Sequence, residues 1–220
     1  MFFPLLILAE PKEVFDRVAT RAPWFGPLIS CTAGYFVITW LGGCWADIRE
    51  GLRWWSLLGP AIGSILFVGT ACLGSTAMLY ISCLVFQRKQ SNRLAYRKLF
   101  SLNAHCVLIL VLGELINFLL VRANLMQAFN VPFPNRFPLG LDLLILGAKE
   151  PNIYLAVILH STSVFIIWYF VVLARGLDYL SGSGPMRSAA TAAILWIAGV
   201  GVVIGLIYSA GGGTMFRITM

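Results

Sequence analysis

The chain has 220 residues, 59% of them hydrophobic and 11% charged, with a mean hydropathy of +0.85 and a net charge of +7. A water-soluble domain of this length has too much surface for its volume to hide so much apolar side chain, so lipid is the solvent for most of it. The basic residues sit in short stretches between apolar runs and not on one continuous face, which excludes nucleic acid and points to anionic lipid headgroups.

The first ten residues, MFFPLLILAE, have no basic residue ahead of their apolar run and no small-residue cleavage site after it. They are expected to be retained and to lie on the membrane, being too short to span it. In PKEVFDRVATRA, Glu10 and Pro11 offer a helix start. Val14, Phe15, Val18 and Ala22 then recur at helical spacing beneath Lys12, Asp16 and Arg17. Residues 1–23 therefore read as an interfacial segment carrying an amphipathic helix.

Five apolar runs follow, each near the length that crosses a bilayer, at about 24–46, 57–86, 99–121, 153–174 and 189–210. The second is long enough to tilt or to bend near Pro60. Trp24, Trp45, Trp54, Trp55 and Tyr96 lie near span ends, where amphipathic rings favour the headgroup layer. The fold class is all-α, a polytopic bundle of five transmembrane helices with an amino-terminal interfacial helix, because lipid gives exposed backbone groups no partners.

Orientation follows from the basic residues outside the spans. Lys12, Arg17 and Arg21, then Arg88, Lys89, Arg93, Arg97 and Lys98, then Arg175 and Arg187, place ten on one side. Arg49, Arg53, Arg122, Arg136, Lys149 and Arg217 place six on the other. The richer side is expected to be cytoplasmic, with the amino terminus inside and the carboxy terminus outside. The stretch QRKQSNRLAYRK carries no acidic residue, so it reads as a topology signal in lipid contact, or as a dock for an acidic partner. The loop 122–152 is the longest. Its NVPFPNRFPLG cannot be regular helix, and the LDLLILGA behind it suits a segment lying on or dipping into the surface.

Helices in lipid associate by close backbone approach, so small residues mark candidate seams. At 100° per residue, Gly59, Gly63, Thr70, Gly74 and Ala77 share one stripe of the second span, and Ala198, Gly201 and Gly205 share one of the fifth. Packing of the bundle itself and a dimer interface are both open to them.

The third span holds a carboxylate. Asn103, Glu114 and Asn117 fall on one side of it, with His105 opposite, and polar groups in such a helix face protein rather than lipid. Glu114 lies seven residues before the outer end of its span and His160 seven after the start of the next, so both sit roughly 10 Å deep. A hydrogen-bonded Glu114–His160 pair is expected, either fixing register or serving a proton or substrate path. His105 and His160 are about 15 Å apart in depth, too far for one haem. Cys31, Cys44, Cys72, Cys83 and Cys106 form no CxxC pattern, so neither metal nor cofactor is expected. HExxH, GxSxG, Walker and GxGxxG motifs are absent, and no enzymatic activity is expected.

The order of features is familiar. An apolar start leading through AEPKEVFDRVATRAPWFGPL into the first span resembles prokaryotic members of the Yip family, the Ypt- and Rab-interacting membrane proteins. So do YRKLFSLNAHCVL and FIIWYFVVLARGLDYLSGSGPMRSAATAAILW, where one span ends in a glycine-containing turn and the next follows quickly. The likeness extends over nearly the whole chain. It implies five spans and a cytoplasmic amino terminus, in agreement with the charge count. Eukaryotic members use a cytoplasmic amino-terminal region with Rab-type GTPases. Only about twenty-three residues precede the first span here, so Rab binding is not carried over and no functional residue is transferred. What the resemblance implies is a membrane scaffold or adaptor. An accessory subunit of a larger complex and a small proton-linked carrier are the alternatives.

Overall fold

The computed structural model describes residues 6–43, 55–86, 95–122, 158–159 and 162–209. The chain forms α1 (Leu6–Ala9), α2 (Pro11–Arg21), α3 (Phe25–Gly43), α4 (Trp55–Phe86), α5 (Tyr96–Arg122), α6 (Val164–Ser181) and α7 (Pro185–Ser209). The fold is all-α, as expected. Four of these helices, α4 to α7, are long and apolar enough to cross a membrane, while the apolar part of α3 is shorter, Phe25–Leu41.

Helix α2 begins with Pro11 at its first turn, where a missing N–H costs nothing, and ends at Ala22, whose positive φ of 45° lets its N–H reach the Val18 carbonyl. Val14, Phe15, Val18 and Ala22 are buried, so the amphipathic face is the expected one. Its cover is not lipid, however. The helix packs on α5 and α6, and the phenyl ring of Phe15 presses on Gly176 of α6. Leu6 and Ile7 are buried as well, because α1 packs on α2 and α5 rather than lying freely on a membrane. A short apolar stretch that cannot span still gains by covering apolar protein surface at the bundle end.

Helix α5 is the hub. It packs against α3, α4 and α6, and receives α1 and α2 near its start. Helices α3 and α4 touch each other, as do α4 and α7, and α6 and α7. Close backbone approach holds the hub to its neighbours: a Cβ added at Gly34 would stand 2.7 Å from Val111, one at Gly113 2.7 Å from Phe165, and one at Gly176 2.5 Å from Leu102. Dispersion between these fitted surfaces does the work that the hydrophobic effect does in water.

Of the expected span at 153–174, residues 153–157, 160 and 161 lie outside the described residues, and helix α6 takes up its second half. It starts at Val164, where Ser163 accepts a hydrogen bond from the Ile166 N–H at 3.2 Å, and runs to Ser181. The N-capping hydroxyl sets the start. At the other end Arg175 is exposed and does not stop the helix, because a long cationic side chain can carry its charge clear of apolar surroundings. Gly182, in the left-handed region at φ 64°, closes α6 with its N–H on the Asp178 carbonyl, and the Asp178 carboxylate accepts from the Gly184 N–H at 2.8 Å. Pro185 then opens α7.

Candidate functional site

Asn103 is fully buried two turns into α5 and gathers three helices. Its amide nitrogen donates toward Ser75 Oγ at 2.7 Å, Thr76 Oγ1 at 3.0 Å and the Cys72 carbonyl at 3.3 Å, all on α4. Its Oδ1 accepts from the Tyr169 hydroxyl of α6 at 2.7 Å. Ser75 and Thr76 send their own protons to backbone carbonyls one turn back, at Ala71 and Cys72. Both the nitrogen and the oxygen of the amide are engaged, as a polar group away from water requires. The sequence marked Asn103 but missed Tyr169, Ser75 and Thr76. The usable signal was the demand itself: an asparagine in an apolar helix needs hydroxyl partners at its own depth.

Three thiols surround this knot. Cys31, Cys72 and Cys106 are buried on α3, α4 and α5, and the Cys31 thiol leans on the Ala104 carbonyl at 3.5 Å. Among the described residues no group of three or more His, Cys, Asp or Glu side chains is arranged to hold a metal ion. The arrangement ties α4, α5 and α6 together at one depth.

Glu114 lies eleven residues on, about 16 Å along the axis. It shares the angular side of Asn103 but not its surroundings, for Glu114 is exposed. Its carboxylate is within electrostatic reach of Tyr35 on α3, whose ring stacks on Phe67 of α4 with centroids 4.7 Å apart. His160, its expected partner, lies outside the described residues. Asn117 is half-buried, and its Oδ1 has no hydrogen-bond partner among the described residues. The Trp40 indole N–H of α3 is in the same position. Gly34 faces Val111, and six residues on from each come Trp40 and Asn117, so an orphan donor and an orphan acceptor share one level. His105 points away from Asn103, as expected, and its Nδ1–H donates to the Ser101 carbonyl at 2.7 Å.

The glycines singled out from spacing behave differently from those that hold the bundle. A Cβ at Gly59, Gly63, Gly74, Gly201 or Gly205 meets no atom within 4 Å among the described residues. On α4 the buried side is formed by Val68, Cys72, Thr76, Leu79 and Cys83, and the stripe of Gly59, Gly63, Thr70 and Gly74 lies about 180° from it. Of the basic stretch, Arg88, Lys89 and Arg93 lie outside the described residues, while Arg97 and Lys98 occupy the first turn of α5.

Residues 5–207 match the Yip1 domain. The chain is also 28% identical over 212 residues to membrane protein YknW of Bacillus subtilis (strain 168), across 91% of this chain and 87% of that relative. No solved structure is significantly similar to it. The chain belongs to the Yip1 family, a multi-pass helical membrane protein as its sequence led one to expect.

Proposed function

We propose that this Yip1-family protein is a non-enzymatic scaffold or adaptor of the bacterial cytoplasmic membrane, one that binds other membrane proteins or shapes the bilayer. One observation carries the reading. The GxxxG stripe on α4, Gly59, Gly63 and Gly74, is turned outward with nothing of the described chain upon it. In lipid such a surface is where another helix can approach closely. The basic-residue count favours a cytoplasmic amino terminus.

Co-purification from native membranes tests it. Membrane proteins recovered with the wild-type chain should be lost with Gly63→Ile and Gly74→Ile, and recovery unaffected by either change would refute it. A stoichiometric large complex in the same experiment would instead indicate an accessory subunit.

A second reading, a small proton-linked carrier using Glu114 and His160, is favoured by one feature: a carboxylate exposed along a spanning helix beside Tyr35. Reconstituted flux that vanishes on Glu114→Gln would support it, and absence of flux in the wild type would end it.

A further inference from the structure

We propose that the groove between α3 and α4 holds one phospholipid with an anionic headgroup, its acyl chain lying along α3 and its phosphate held by Arg21 and Arg97. The groove measures about 400 Å³ and is lined by Leu28, Ile29, Thr32, Ala33 and Phe36 of α3 with Ala61 and Ile65 of α4. Its one hydroxyl among these, on Thr32, is spent on the Leu28 carbonyl at 2.9 Å. The lining therefore offers dispersion contacts and no polar anchor, which suits a hydrocarbon chain.

What makes this a site for a particular lipid is the end at which the groove starts. Leu28 stands one turn from Trp24, its N–H bonded to the Trp24 carbonyl at 3.1 Å. The Trp24 ring meets Phe25 and Phe100 edge-on, Phe100 stacks with Tyr96, and Tyr96 meets Tyr80. Trp24, Phe25 and Tyr96 are exposed. Such a row of rings belongs at the headgroup layer. Arg97 is one turn before Ser101, whose hydroxyl donates to the Pro23 carbonyl at 2.8 Å, and Arg21 closes α2 just ahead of Pro23. Both arginines are exposed, and neither is in an ion pair among the described residues, where Glu13 is taken by Arg17. Two guanidinium groups at the end of the bundle where the groove begins match a phosphate beyond the end of an acyl chain, and a guanidinium binds phosphate with two donors at once.

The inference rests on the chain lying in a bilayer and is independent of whether the α4 stripe binds protein. The test uses the full chain reconstituted in equal parts phosphatidylglycerol and phosphatidylcholine, released, and weighed intact with the lipid it keeps. Each basic residue near an anionic headgroup strengthens attraction about fivefold. The wild type should keep one phosphatidylglycerol at least fivefold more often than phosphatidylcholine. Arg21→Gln with Arg97→Gln should bring that ratio close to one, with thermal stability unchanged. Ala61→Trp or Ala33→Trp, which fill the groove from opposite walls, should abolish retention of both lipids. Equal retention of the two lipids by the wild type, an unchanged ratio in the double glutamine variant, or retention surviving both tryptophans would overturn the proposal. So would a disulfide-linked dimer of Ile65→Cys protein in the bilayer, which would put a second copy in the groove.

Discussion

The Tyr169 hydroxyl donates to Asn103 Oδ1 across 2.7 Å and so joins α6 to α5, while the nitrogen of the same amide turns to α4. A single side chain thereby fixes the depth of two neighbours against the hub. Helices with apolar faces alone could slide by a turn at small cost. The engaged amide opposes this, because any slip leaves polar groups facing hydrocarbon.

Removing one side of that bond should be measurable and modest. Tyr169→Phe is expected to lower stability in bilayer-like micelles by about 1 kcal/mol, near the range of interhelical hydrogen bonds in membranes. Asn103→Leu should cost more, about 2 kcal/mol, because the Tyr169 hydroxyl is left buried without its acceptor. The double variant should cost less than the two single losses together, and a fully additive result in a double-mutant cycle would show that the pair is not coupled.

The two classes of glycine make opposite predictions. Gly113→Ala puts a methyl group within 3 Å of three atoms of Phe165, including its Cβ, so the backbones must part. A loss of about 2 kcal/mol is expected, within the range of overpacked cores. Gly63→Ala and Gly74→Ala meet open space and should leave the isolated protein within about 0.5 kcal/mol of wild type. Thermal denaturation of the purified monomer separates the cases.

The seating of α2 can be read by proteolysis. Phe15 presses on Gly176 and lies beside the Tyr179 ring, whose hydroxyl bonds the Asp16 carboxylate. Phe15→Ala should cost about 3 kcal/mol of docking, in line with large-to-small changes at buried sites. Trypsin should then cut after Lys12, Arg17 and Arg21 more than tenfold faster than in wild type, since cleavage follows the population of the opened segment.

Helix geometry also places three distant positions on one side. Ser101 touches Pro23 and Phe15 touches Gly176, so α2, the start of α5 and the end of α6 share one end of the bundle, and the short turn brings the start of α7 there too. Single cysteines at Thr20, Arg97 and Met186 should react with an impermeant thiol reagent from the same face of the membrane. The charge count predicts the cytoplasmic face. Reaction from opposite faces would break the topology.

Much of this fold was legible in the sequence because length and periodicity are local properties. The apolar runs near residues 24–46, 57–86, 99–121 and 189–210 each overlap an observed helix, and the buried face of α2 followed from its 3.6-residue spacing. What covers a face was not legible. Spacing marked Val14 and Val18 as apolar, but only the folded chain puts protein over them instead of lipid. The same limit governs the glycines. Gly59 and Gly63 stand at the spacing of a seam, yet the seams that α5 uses are single glycines, Gly113 and Gly176, whose partners Phe165 and Leu102 are remote in sequence. The boundary at Ser163 was not legible, because apolarity is continuous across the point where its hydroxyl caps α6. For the polar stripe, angular arithmetic put Asn103 and Glu114 on one side, but angle carries no information on whether a neighbouring helix is present at each level, and Asn103 is buried where Glu114 is exposed.

Because Asn103 grips α4 from within, the depth of α4 against the hub is set on its inner side, which leaves its outer face uninvolved. An encounter there would require neither melting nor rearrangement of the resident helices. Association on that face would then be limited by collision in the plane of the bilayer and not by a change of fold.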